Sequence, residues 1–153
     1  MMKSVWTPLL LVTLLAWGFA AAPAAIADEG FRSAAGGVRF KDLQTGQGPE
    51  AETGMVATIH FTGWLDERGV RGREVFDSRR RGEPVSFVIG DDGVMQGWNV
   101  GVLGMKPGGK RMLLVPPGMA WAGREPKGVV PPDAAMMFRI ELLDLERAGT
   151  APD

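Results

Sequence analysis

The chain has no cysteine and only one histidine among its 153 residues. The first absence removes disulfides, thiolate nucleophiles, lipid attachment at a lipobox and every Cys-based metal or iron–sulfur site. The second removes a His-rich zinc site. An excess of charge of one sign is lacking too. With 17 basic residues against 18 acidic ones the formal charge is -1, so no global field draws the chain to nucleic acid. No GxSxG elbow occurs, and no glycine-rich stretch ends in the GK[ST] of a phosphate loop. His60 falls inside the best strand pattern without a nucleophile to serve, and reads as a structural residue hydrogen-bonded within the fold. Hydrolysis through an activated nucleophile is therefore not the chemistry to expect.

What is present is an ordinary globular composition, 45% apolar and 23% charged, which excludes global disorder and a fibrous repeat. The length suits one domain once a processed segment is subtracted. Gly 22 and Pro 11 predict many turns between short elements. Lys3, an uncharged run from Leu9 through Ala22, and Ala25-Ile26-Ala27 before Asp28 follow the order of a signal peptide, residues 1–27, with cleavage after Ala27. The other reading is an uncleaved anchor, since Ser4 through Ala27 is uncharged for longer than the roughly 20 residues a span needs. The signal reading puts the protein in the periplasm or outside the cell, with no stable membrane span after cleavage.

Asp28 to Gly37 reads as a flexible leader, 38–147 as the domain and 148–153 as a tail. Strands are predicted at Val38 to Leu43, Met55 to Leu65, Val85 to Ile89, Lys110 to Val115 and Ala135 to Leu145. In the second of these, Ala57, Ile59, Phe61 and Gly63 share one face while Thr58, His60, Thr62 and Trp64 share the other. Met136, Phe138, Ile140 and Leu142 alternate likewise in the last strand. Arg68 to Arg73, with Gly69 and Gly72, reads as a loop. One helix is expected, Val94 to Leu103, with Val94, Trp98 and Val102 on one stripe; its internal glycines make it dependent on packing against a sheet. The fold class is α+β, with the helix on one face of an antiparallel sheet.

Asp91-Asp92-Gly93 lacks the spacing and terminal Glu of a calcium loop and reads as a turn before the helix. Arg68, Arg71, Arg73, Arg79, Arg80 and Arg81 form a basic cluster, either a solvated face or an attractor of acidic clients. Trp98, Trp121, Phe61, Phe76 and Phe138, taken alone, read as core.

Five motifs in register change that reading: His60-Phe61-Thr62-Gly63, Phe76-Asp77-Ser78, Val94-Met95-Gln96-Gly97-Trp98, Gly104-Met105 to Gly109-Lys110-Arg111, and Val129-Val130-Pro131-Pro132 through Phe138 to Leu143. From about Val38 to Glu146 the chain resembles the FKBP family of peptidyl-prolyl isomerases. The resemblance implies a strongly twisted antiparallel sheet curled around a short helix, with an apolar pocket between them. Carried over by motif, the catalytic positions are Asp77, Trp98, Met95, Trp121 and Phe138. The positions that bind the proline are Phe61, Phe76, Val85, Val94 and Val130. No cofactor or metal is implied. The implied partners are unfolded or partly folded exported proteins with X-Pro bonds. A macrolide ligand is also implied, held weakly here because Phe61 and Trp121 stand where well-known members have Tyr. Val85 stands where an aromatic is common, and Asp66 to Val75 is longer than the compact pattern. These departures keep open a holdase or binding module using the same pocket, or an assembly subunit whose long loop docks a partner.

Overall fold

A computed structural model describes residues 30–149; the expected signal peptide lies outside them, as does most of the expected tail. Seven strands form one antiparallel sheet: β1 (Arg32–Ser33), β2 (Arg39–Gln44), β3 (Met55–Glu67), β4 (Val70–Asp77), β5 (Val85–Val88), β6 (Lys110–Val115) and β7 (Met136–Arg147). Their spatial order is β1-β2-β6-β7-β3-β4, with β5 continuing the β4 edge beside the first half of β3. Helices α1 (Ser78–Arg81) and α2 (Gln96–Gly101) are both short. The expected α+β fold is thus observed, with one more short α-helix than the sequence pattern suggested and 3-10 turns at Ala35–Gly37 and Pro117–Met119.

Alternation decides the core. Ala57, Ile59 and Phe61 of β3 and Met136, Phe138, Ile140 and Leu142 of β7 all point to the face that α2 covers, and all are buried. Burying such a side chain fully contributes about 1.5–3 kcal/mol. The opposite face buries a smaller group, Trp64, Leu114 and Met137, lying in one row across β3, β7 and β6.

The helix is shorter than the expected Val94 to Leu103 and is closer to the sheet than a helix with side chains could be. A Cβ on Gly97 would stand 2.4 Å from Val115 Cγ1, and one on Gly101 2.4 Å from Leu113 Cδ1. The two glycines that weaken α2 in isolation are what let it seat on β6. Gly63 acts similarly on β3, where a Cβ would come 2.9 Å from the ring of Phe138.

Two expectations are corrected. Arg68 to Arg73 is not a loop: β3 runs to Glu67, turns at Arg68 and Gly69, both at positive φ, and returns as β4 from Val70. Gly72 reads as a breaker in sequence, yet it lies within β4, where a Cβ would meet the Leu65 carbonyl oxygen at 2.9 Å. Order also begins before Val38, because Arg32–Ser33 pairs with Arg39 and Phe40 and Ala34 packs on the core. The unforeseen α1 has its signals at both ends: the Asp77 carboxylate accepts from the Arg79 N–H at its start, and Gly82 turns left-handed at its end.

Candidate active site

Between the N-terminal end of α2, β5 and the inner face of the sheet lies a cavity of about 350 Å³. Its floor is aromatic. Trp98 stands on α2 with Phe61 at 4.6 Å and 62°, Phe138 at 5.5 Å and 81°, and Phe87 at 5.8 Å and 35° between ring centroids and planes. The two near-perpendicular contacts set positive ring edges against negative ring faces. Phe76 and Trp121, 5.6 Å apart, form one wall, and Val85, Val94 and Met95 the other. Eight of the ten sequence-expected positions therefore line a single cavity.

The other two do not. Val130 is 4% exposed and packs in the core behind the wall. Asp77 follows Phe76 on β4, and adjacent strand residues point to opposite faces, so when Phe76 faces the cavity Asp77 turns away. Its carboxylate caps α1 at 2.9 Å and stands 3.8 Å from Arg80 Nε. The sequence reading in turn missed Phe87. The signal was available: Val85-Ser86-Phe87 alternates, so a cavity that takes Val85 also takes Phe87.

Polar groups divide into those that hold the walls and those left unused. Ser78, 1% exposed, accepts from the Phe61 N–H at 2.9 Å and lies 2.9 Å from His60 Nδ1, tying α1 to β3 at the cavity floor. His60 is thus the structural residue its setting suggested. Asn99 accepts from the Gly90 N–H at 2.8 Å and donates to the Asp91 carbonyl at 2.9 Å, which fixes the turn carrying Val94 and Met95. That turn is closed by Asp91, whose carboxylate accepts from the Gly93 N–H, and no group of His, Asp and Glu able to hold a metal occurs among the described residues. In the loop after Trp121, Glu125 accepts from the Asp133 N–H at 3.0 Å. Its own backbone N–H and that of Asp133 hold the carboxyl below its ordinary range.

Three donors at the cavity have no acceptor among the described residues. The indole N–H groups of Trp98 and Trp121 are buried there and unpaired by any of those residues. The Met95 N–H, just before α2, meets no acceptor among the described residues. Buried donors are seldom left unpaired. Such a site can grip an apolar ring, accept a carbonyl and exclude water, and its lining holds no carboxylate, imidazole or amine to act as a base; its one hydroxyl, that of Ser86, is paired with Thr58.

The family model described as FKBP-type peptidyl-prolyl cis-trans isomerase matches residues 48–143. The FK506-binding protein of Neisseria meningitidis serogroup B is 41% identical over 108 residues, covering 71% of this chain and 95% of that protein. FK506-binding protein 2 of Candida glabrata is 42% identical over 99 residues, covering 64% of this chain and 70% of that one. Among solved structures, AtFKBP13 aligns with a TM-score of 0.65 at 34% identity, over 74% of this chain and 97% of that one. FkpA from Escherichia coli aligns at 0.68 and 31%, over 79% of this chain and about half (54%) of that one. An aromatic cavity without acid–base machinery, the five motifs and these matches agree: the chain belongs to the FKBP-type peptidyl-prolyl cis-trans isomerase family.

Proposed function

We propose that the chain accelerates isomerisation of X-Pro bonds in exported proteins, using the cavity over Trp98 as its active site. The observation that carries the reading is the combination of an apolar, aromatic-floored cavity with a free backbone N–H on its wall. Rotation about an X-Pro amide breaks no bond; it crosses about 18–20 kcal/mol because conjugation is lost as the amide twists. The twisted carbonyl is less polarised than the planar one and loses less on leaving water. A dry site that holds the Pro ring against Trp98 therefore binds the transition state better than the ground state. Each ~1.4 kcal/mol of that difference gives tenfold in rate. The Met95 N–H would hold the neighbouring substrate carbonyl, fixing one side of the rotating bond. Asp77, facing away from the cavity, would act through α1 as a positioning residue.

Export is the second part of the proposal, supported by the charge-then-apolar-then-small order of residues 1–27. No helix among the described residues is long and apolar enough to cross a membrane. The same cavity would take a macrolide less tightly than one rimmed by Tyr. Phe61 has no hydroxyl, and a lost neutral hydrogen bond is worth about 0.5–1.5 kcal/mol.

The departures at Phe61, Val85 and Trp121 favour a second reading, a holdase that binds in the cavity without turnover. A protease-coupled prolyl-peptide assay run beside an aggregation-suppression assay separates the two. Turnover well above the uncatalysed rate is expected. Suppression of aggregation with no turnover would replace the isomerase by the holdase.

A further inference from the structure

The basic cluster does not act as a unit. Arg71 lies over the Trp64 ring at 4.4 Å, and Arg73 donates to the Val129 carbonyl at 2.8 Å. Of the three consecutive arginines on α1, Arg79 is ion-paired with Glu141, and Arg80 with Glu74 at 3.0 Å and with Asp77. Arg81 has no ion pair among the described residues, and it is the one that lines the cavity. Every other lining residue is uncharged. The cavity mouth therefore carries one exposed positive charge that has no ion pair among the described residues, and it attracts an anion the more strongly the lower the salt. Rotation of an amide has no use for a cation, so the charge bears on which substrate enters rather than on the chemistry.

We infer that Arg81 selects client segments with an acidic residue directly beside the proline. The inference rests on the isomerase reading and specifies its substrate class. With the proline ring over Trp98, the flanking side chain leaves the cavity at its mouth, where Arg81 can pair with a carboxylate. An exposed pair of this kind changes affinity by about two- to fivefold at low salt and by less at high salt.

The test uses matched peptides with Glu, Gln or Lys immediately before or immediately after Pro, measured for binding by intrinsic tryptophan fluorescence and for kcat/KM. The expected result is a two- to fivefold preference for Glu over Gln on at least one side of the proline. Lys should rank last, and the preference should shrink as salt is raised. Arg81→Lys should keep the preference and Arg81→Gln abolish it. Equal binding of Glu and Gln peptides, or a Glu preference that survives in Arg81→Gln, would overturn the inference while leaving the isomerase standing. Binding of the Glu peptide without turnover of any peptide would overturn the isomerase reading and keep the selectivity. Binding of none of the peptides would overturn both.

Discussion

Two cavities of nearly equal volume, about 350 and 370 Å³, lie toward opposite ends of α2 and have opposite chemistry. At the C-terminal end Arg111, 5% exposed, donates through Nε to Asp42 at 2.6 Å and through one terminal nitrogen to the carbonyls of Gly101 and Leu103, while its guanidinium stacks on Phe40 at 4.3 Å. Gly101, the last residue of α2, has a carbonyl that the helix leaves unsatisfied, and Leu103 follows just beyond the cap. The arginine therefore closes the helix end and joins it to β2 and β6 at once. At the N-terminal end the walls are aromatic and the donors of Met95, Trp98 and Trp121 are unspent. A concavity whose central arginine is already matched by protein acceptors, and whose remaining charges, Glu50 and Lys106, are of opposite sign, has little to offer an apolar ligand. A similar volume with unmatched donors on apolar walls has much to gain from one.

Trp98 and Arg111 are the residues with which to break this contrast. Trp98→Ala should cost about 3–5 kcal/mol of stability and abolish most turnover, since the residue is core and cavity floor together. Arg111→Met should cost about 1–3 kcal/mol, for Asp42 and the two carbonyls left without their donor. Under conditions where the Arg111 variant remains folded, it should keep its kcat/KM. Denaturant unfolding beside a prolyl-peptide assay measures both, and a folded Arg111→Met with lost turnover would erase the distinction between the two ends.

Asp77 sharpens it on a smaller scale. Asn caps a helix about as well as Asp, whereas Val cannot cap one, so Asp77→Val should lose about 0.5–2 kcal/mol and lower turnover while Asp77→Asn keeps both near wild type. Equal loss of turnover in the two variants, with melting unchanged in Asp77→Asn, would show that the carboxylate itself meets the substrate.

The smallest effect is expected at Glu125. A carboxyl held below its ordinary 4.5 in the folded state supports the loop above that value, and the support fades as acid lowers the pH through the depressed value. Hydrogen exchange of the Asp133 amide should accelerate relative to the core as pH drops below about 4.5, after correction for the intrinsic exchange rate. In Glu125→Gln that relative protection should no longer change with pH.

Much of this site is legible in the sequence because aromatic spacing follows element periodicity. The two-residue period of β3 puts Phe61 inside and His60 outside, and the helical stripe puts Trp98 toward the sheet. The motifs carry the rest of the floor. What stayed hidden depends on contacts distant in sequence. Nothing local distinguishes Arg81 from Arg79 and Arg80; only the places of Glu74 and Glu141 on neighbouring strands leave one of the three unpaired. Asp77 looks like a rim residue next to Phe76 until the strand pleat turns it away. The hairpin at Arg68 and Gly69 was obscured because glycine marks turns and close approaches alike, and here Gly69 does the first and Gly72 the second.

The strand order has a consequence in time. β7, the last strand to be synthesised among those described, lies between β6 and β3 and pairs with β3 along almost its whole length. Until β7 emerges, β3 and β6 each present an open edge, and Phe138 and Ile140 are missing from the core. The β1–β2 and β3–β4 pairs can form as they are made, but the two halves of the sheet are joined only through β7, so the sheet cannot close until that strand is complete. A prolyl isomerase built this way is itself a late folder, with the edges of β3 and β6 open to aggregation until β7 emerges to cover them.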